Sequence, residues 1–181
     1  GIDHLLAGFD KNNQIEIPEK LFLEGGDVVL APGRVFVGLG ARSSREGIDW
    51  LAAVLQKRNV KREIIIVPHD VLHLDCCWNV IDPNLALWCE EATDSFMDLN
   101  GKTPIIDLQT IPVNRDQQAA LATNMLAVGP RHVLARDHPI CEPINRILAD
   151  EFRFSVNLLS FDCVPSIGGS FRCATLPLTR G

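Results

Sequence analysis

Three side chains that could share one reaction recur along this sequence at a common interval. Glu24 and His73 lie about fifty residues apart, and Cys173 follows His73 at about twice that distance, with Asn124 near the intermediate position. A thiol that attacks, an imidazole that moves protons and a carboxylate that orients them form a nucleophile and acid/base set. Each sits in a short polar stretch: "LEGGDVV" (Leu23–Val29), "HLD" (His73–Asp75) and "GGSFRCATLPLTR" (Gly168–Arg180). Asp27, Asp75 and Arg172 therefore join the candidates.

For these residues to meet, the elements between them must repeat. "GGDVVLAPGRVFVGLG", "LDCCWNVIDPNLALWC" and "ATNMLAVGPRHVLARD" each show an apolar strand, a turn built on PG, DPN or GPR, and a second apolar strand. Glycine and proline at the centre favour tight reversal, so each predicts a β-hairpin. After the first, "SSREGIDWLAAVLQKR" places Ile48, Leu51, Ala52 and Leu55 at helical spacing, with Ser43 or Ser44 as the cap. "EIIIVP" then predicts a buried strand. After the third, "CEPINRILADEF" predicts a helix with Pro143 in its first turn, and "SVNLLSF" a strand. The middle copy is irregular: "DSFMDLNGKTPIIDLQTIP" carries Gly and Pro, so its helix is short or replaced by a loop. "RDQQAALATNML" predicts a further helix. The unit is strand–strand–helix–strand, and a repeat sets equivalent positions on one side of the assembly. Glu24, His73, Asn124 and Cys173 are thus expected to converge.

Composition bounds the function. With 46% hydrophobic residues in 181, the chain can bury a core, and one domain over residues 1–181 is expected. The net charge of −6, without a basic stripe, argues against a nucleic-acid partner. No apolar run approaches the roughly 18–20 residues that span a bilayer, so no membrane partner is expected. The first residues lack the pattern of a signal peptide, and a cytoplasmic location is expected. The six cysteines, at 76, 77, 89, 141, 163 and 173, are expected as thiols. His73, Asp75, Cys76 and Cys77 cluster in sequence, but there is no C-x2-C pair and neighbours on a strand face opposite ways, so no metal is expected. Cys76, Cys77, Cys89, Cys141 and Cys163 read as packing, and His4, His69, His132 and His138 have no functional pattern around them.

The three motifs, in this order and spacing, resemble the guanidino-group-modifying superfamily: arginine deiminases, dimethylarginine dimethylaminohydrolases and amidinotransferases. The resemblance runs from about Phe22 to the C-terminus. It implies an α/β fold of ββαβ units around a pseudo-fivefold axis, a propeller of which this chain holds an incomplete set, since five units of about fifty residues need about 250. It implies one catalytic domain lacking its N-terminal unit or units, with self-association as one route to completing it.

The resemblance also implies roles. Cys173 would attack the guanidinium carbon and form an S-alkylthiouronium. His73 would protonate the departing amine and then activate water. Glu24 and Asp75 would hold the guanidinium nitrogens, with Asp27 either a further ligand or a support for the glycine turn. Asn124 and Arg172 complete the expected substrate-binding set, and Gly168 and Gly169 would let the backbone approach the substrate. Cys76 and Trp78, where relatives often have other residues, would reshape the pocket wall. No cofactor is implied. The expected activity is hydrolysis of arginine or an N-methylated arginine, because "LEGGD" resembles the hydrolases more than the amidinotransferases. Amidino transfer to an amine and a non-catalytic fragment or binding module are the alternatives.

Overall fold

The computed structural model describes Gly8, residues 14–161 and residues 168–175; His4 and Cys163 lie outside the described residues. Three units follow one another. The first comprises β1 (Val28–Ala31), β2 (Arg34–Leu39), α1 (Arg45–Lys57) and β3 (Glu63–Pro68). The second comprises β4 (Trp78–Asp82), β5 (Leu85–Trp88) and β6 (Gln109–Pro112). A short helix, α2 (Arg115–Ala119), leads to the third: β7 (Leu126–Gly129), β8 (His132–Arg136), α3 (Glu142–Asp150) and β9 (Ser155–Leu159). Each unit forms its own three-stranded sheet, with the middle strand antiparallel to the first and parallel to the third.

The pairing follows from the connections. An antiparallel pair needs only a tight turn, whereas a parallel pair needs a crossover. Gly33 takes φ +70 in the first hairpin, a left-handed conformation that costs glycine little. Arg131 occupies the corresponding left-handed slot in the third, at φ 49. Helices α1 and α3 supply two crossovers. Residues 89–108 supply the other without a helix, as the Gly- and Pro-bearing sequence there predicts.

Helix α1 starts where Ser44 accepts the amide of Gly47 at 3.2 Å, so Ser44 rather than Ser43 is its cap. Ile48 on its inner face is fully buried against Val35, Val37, Ile64 and Ile66, with Leu51, Ala52 and Leu55 alongside. Helix α2 begins with a capping box between Asn114 and Gln117. It is shorter than its sequence predicts, because Leu121 turns to φ 64 and ends it before the apolar run is used.

The units share one core. Val29, Phe36 and Ile65 of the first pack with Trp78, Leu87 and Ile111 of the second and Val133 and Leu148 of the third. At its centre Trp78 lies 5.1 Å from the Phe36 ring and 4.9 Å from Phe96, with Trp88 joining at 5.8 Å from Phe96. Trp78 is fully buried, so it is a core residue and not the pocket wall the sequence suggested. Aromatic rings set edge to face at these distances hold neighbouring units in fixed register. Among the described residues no helix is long and apolar enough to cross a membrane.

Candidate active site

The site forms on the loops that enter the sheets. Just before β1 and β4 the chain makes matching 3-10 turns, Gly25–Asp27 and Leu74–Cys76. Glu24 and His73 each occupy the extended residue that starts its turn, with φ −110 and −138. Each turn closes in the same way: Asp27 N donates to Glu24 O, and Cys76 N to His73 O, both at 3.0 Å. The repeat thus sets the two side chains at equivalent places, and they meet. His73 Nε2 lies 2.5 Å from Glu24 Oε2.

Asn124 stands in the loop before β7. The amide of buried Asn79 fixes this loop through the carbonyls of Thr123 at 2.7 Å and Met125 at 2.9 Å. Thr123 in turn donates its hydroxyl to the Cys76 carbonyl. Asn124 Oδ1 accepts the backbone amide of Cys173 at 3.4 Å, and its Nδ2 lies 3.4 Å from the Asp75 carbonyl. Cys173 occupies a turn in which Ala174 N donates to Ser170 O. Its Sγ lies 4.0 Å from Asp75 Oδ1, while Arg172 Nε approaches Asp75 Oδ2 at 3.4 Å.

The electrostatics suit nucleophilic chemistry. Cys173 is pulled down to about 5, chiefly by a hydrogen bond from the Cys76 thiol. Burial opposes this, while Ser170, Asn124 and the charge of His73 add to it. A free thiol, by contrast, ionises near 8.5. Burial alone would discharge His73, yet the Glu24 hydrogen bond and the charges of Asp27, Asp75 and Glu24 outweigh it and raise the imidazole above its ordinary value. Glu24 is held below its usual range, first by His73, with Arg42 assisting. Asp75 is pushed up to about 6 by burial and by the charge of Cys173. The cluster therefore favours the thiolate of Cys173 and shifts His73 towards its protonated form.

Asp27 and Asn124, both expected in the substrate-binding set, make their contacts inside the protein. Both are fully buried. Asp27 accepts from Ser43 Oγ at 2.5 Å and from Leu74 N at 2.7 Å, and it lies 3.0 Å from His69 Nε2. Its carboxylate ties the two 3-10 turns together. Burial would raise its pKa, but these hydrogen bonds win and hold it low. Arg172 is mostly buried and turned onto Asp75. Gly168 takes φ +91 with open space around it.

Gly26 has no room for a side chain, because a Cβ there would sit 2.6 Å from the His73 ring. Gly25 beside it faces open space.

Three residues escape the sequence reading. Arg42 pairs with Glu24 at 2.7 Å. His69 is buried against Asp27 and the Val71 carbonyl. Cys76, read as packing or pocket wall, lies 3.6 Å from Asp75 Oδ1 and 3.9 Å from Asn124 Nδ2. The polar flanks "ARSSRE" and "PHD" were the available signals for the first two; the repeat itself, which sets residue 76 beside the last unit, was the signal for Cys76. Among the described residues, His73, Asp75 and Cys173 offer ligand atoms within 4.8 Å of one another, a donor set that suits a soft divalent ion.

The comparisons agree with this architecture. An arginine deiminase family model matches residues 7–110. An uncharacterized protein, YkgA of Bacillus subtilis (strain 168), is 33% identical over 164 residues, which cover 88% of this chain and 53% of that protein. The amidinotransferase SxtG from Microseira wollei, of a saxitoxin biosynthetic pathway, superposes with a TM-score of 0.69 at 22% identity, over 96% of this chain and 54% of its own. A dimethylarginine dimethylaminohydrolase, solved as an adduct with 4-chloro-2-hydroxymethylpyridine, gives 0.74 at 20% identity, over 95% and 64%. The chain belongs to the arginine deiminase family, and its fold matches those of the amidinotransferase and the dimethylarginine dimethylaminohydrolase. It spans about half the length of the curated relatives it matches.

Proposed function

We propose that this chain carries the nucleophile-bearing part of a thiol-dependent guanidine hydrolase, acting on arginine or an N-methylated arginine. The observation that supports it most directly is the meeting of Cys173, Asp75 and His73 within 4.8 Å, with Glu24 bonded to His73. A guanidinium carbon is a poor electrophile because its charge is shared by three nitrogens, so attack needs an anionic sulfur and anions around the cation. Cys173 supplies the first, and Asp75 and Glu24 the second.

In this reading the Cys173 thiolate adds to the guanidinium carbon. His73 as imidazolium gives a proton to one nitrogen, which leaves as ammonia or an amine. The carbon stays bound to sulfur as an S-alkylthiouronium. Water then attacks, His73 takes its proton back, and collapse releases the ureido product and the thiolate. Glu24 bonds Nε2 and so orients the imidazole for the proton transfers, while His73 Nδ1 is buried beside Gly26. Glycine 26 packs on the ring and fixes its plane. The complete set of units around a pseudo-fivefold axis belongs to this proposal, as does a reducing, cytoplasm-like setting that keeps Cys173 a thiolate.

Assaying ureido product from arginine, methylated arginines and agmatine tests it, with wild type beside Cys173→Ala. Product from wild type alone supports a thiol hydrolase and identifies the substrate. Amidinated glycine formed only when glycine is added would replace hydrolysis with amidino transfer. No product of either kind, from a chain shown to be folded, would overturn catalysis by this polypeptide.

A further inference from the structure

Cys76 has no step in the reaction proposed above, yet it is the side chain nearest in kind to the nucleophile. It is 2% exposed. Its sulfur lies 3.6 Å from Asp75 Oδ1, and the sulfur of Cys173 lies 4.0 Å from that same oxygen. The Asn124 side chain bridges them from the other side, with Nδ2 3.9 Å from Cys76 Sγ and Oδ1 on the Cys173 amide. Both sulfurs therefore lie within 4.0 Å of one carboxylate oxygen. Cys173 is exposed, and Cys76 lies behind it. This is an accessible thiol backed by a shielded one, on two loops held in register by a shared carboxylate and a shared amide.

We propose that Cys173 and Cys76 form a reversible peroxide-responsive pair, in which Cys76 resolves the oxidised nucleophile as a disulfide. A hydroperoxide is the oxidant. The Cys173 thiolate attacks its outer oxygen, the O–O bond breaks, and Cys173 becomes a sulfenic acid while the peroxide leaves as hydroxide or alkoxide. The Cys76 sulfur then attacks Cys173 sulfur, the S–O bond breaks, and the Cys76 proton leaves with the hydroxyl as water. Two electrons pass from the thiol pair to the peroxide in all. A dithiol such as dithiothreitol returns both thiols by exchange.

The geometry gives the pair a protective role. A solitary exposed thiolate proceeds from sulfenic to sulfinic and sulfonic acid, which dithiols do not reverse. A thiol held at the same carboxylate oxygen intercepts the sulfenic sulfur first. The other described cysteines do not compete. Cys77 is fully buried with its thiol on the Leu74 carbonyl, and Cys141 points to the Ala120 carbonyl. Cys89 is fully buried as well.

The test is mass mapping of the 181-residue chain after hydrogen peroxide, a readout independent of the reaction proposed above. Peptides bearing Cys76 and Cys173 should be found joined, two hydrogens lighter than the reduced pair, and separated again by dithiothreitol. In Cys76→Ser the joined species should vanish, and Cys173 should carry two or three added oxygens that dithiothreitol leaves in place. The wild-type result stands by itself if that variant folds poorly. A wild-type Cys173 that overoxidises with Cys76 intact, that pairs with another cysteine, or that stays reduced overturns the proposal.

Discussion

His73 Nε2 lies 2.5 Å from Glu24 Oε2, although 49 residues separate them. The two occupy the same place in successive units, and that equivalence brings them together. The bond sets the imidazole's charge: it lifts His73 above its ordinary pKa, while Glu24 is held low. An imidazole whose folded pKa is raised keeps its proton to higher pH, so the alkaline limb of any activity that uses it as an acid lies above about 6.5. Glu24→Gln should bring His73 back down towards that value. Titration of the His73 ring proton by NMR checks this, and a midpoint unchanged by the substitution would remove Glu24 from the tuning. His73→Ala should cost about 10²- to 10⁴-fold in rate.

Cys173 makes the opposite displacement. With its pKa drawn down to about 5, the thiolate forms as pH rises through that value and is lost below it. Iodoacetamide should therefore modify Cys173 with a half-maximal rate near pH 5, where an ordinary thiol would show about 8.5. Cys76→Ala removes the first cause of the shift and should move the midpoint upward. Cys77, Cys89 and Cys141 should stay unmodified in the folded protein, because all three are buried. Following alkylation by mass at each pH decides it. A midpoint for Cys173 near 8.5 would show that its neighbours do not activate it.

The repeat was legible because its turns and apolar strands are local. PG and GPR mark their hairpins, and Ile48 and its neighbours mark α1 without knowledge of anything distant. Glu24 and His73 were legible for a related reason: they share one phase of the period. Residues out of phase were not. His69 reaches Asp27 across 42 residues, a separation no unit length predicts. Arg42 meets Glu24 only because the loop after β2 folds back over the turn before β1. Whether a polar residue in a motif faces inward or outward was also not legible. Asp27 and Asn124 sit in the right stretches, but a strand-entry loop presents some side chains to the cleft and buries others, and only packing decides which. Trp78 is the apolar counterpart. It stands three residues after Asp75, and the start of β4 turns it into the core.

The glycine pair in "LEGGD" separates two roles. A Cβ on Gly26 would meet His73 Cγ at 2.6 Å, closer than real contacts allow, whereas one on Gly25 meets nothing within 4 Å. Gly26→Ala should push the imidazole away from Glu24. The His73 midpoint should then fall, and the rate should drop by about 100-fold, the scale expected for a displacement near 1 Å. Gly25→Ala should leave the His73 midpoint raised. Comparing the two by NMR titration isolates the packing role of Gly26, and equal midpoints in both variants would dismiss it.

Asp27 poses the sharpest choice between holding substrate and holding the fold. Its carboxylate is fully buried and takes hydrogen bonds from Ser43 and Leu74 while facing His69. Asp27→Ala would strand those partners inside, a loss of about 3–5 kcal/mol for breaking a buried charged interaction. Ser43→Ala, which removes one donor to the carboxylate and the acceptor of the Glu24 amide, should cost about 1.5–3 kcal/mol. The pH dependence has a definite sign. Asp27 ionises at lower pH in the folded protein than in the unfolded chain, so its contribution is present above about 3.8 and is lost as pH falls below that value through the folded pKa. Wild type should therefore lose stability in that acid range, and the alanine variant should lose less there because the contribution is already gone. Thermal unfolding of the three proteins between pH 3 and 7 measures both effects. An Asp27→Ala protein as stable as wild type, altered only in KM, would return Asp27 to the substrate contacts.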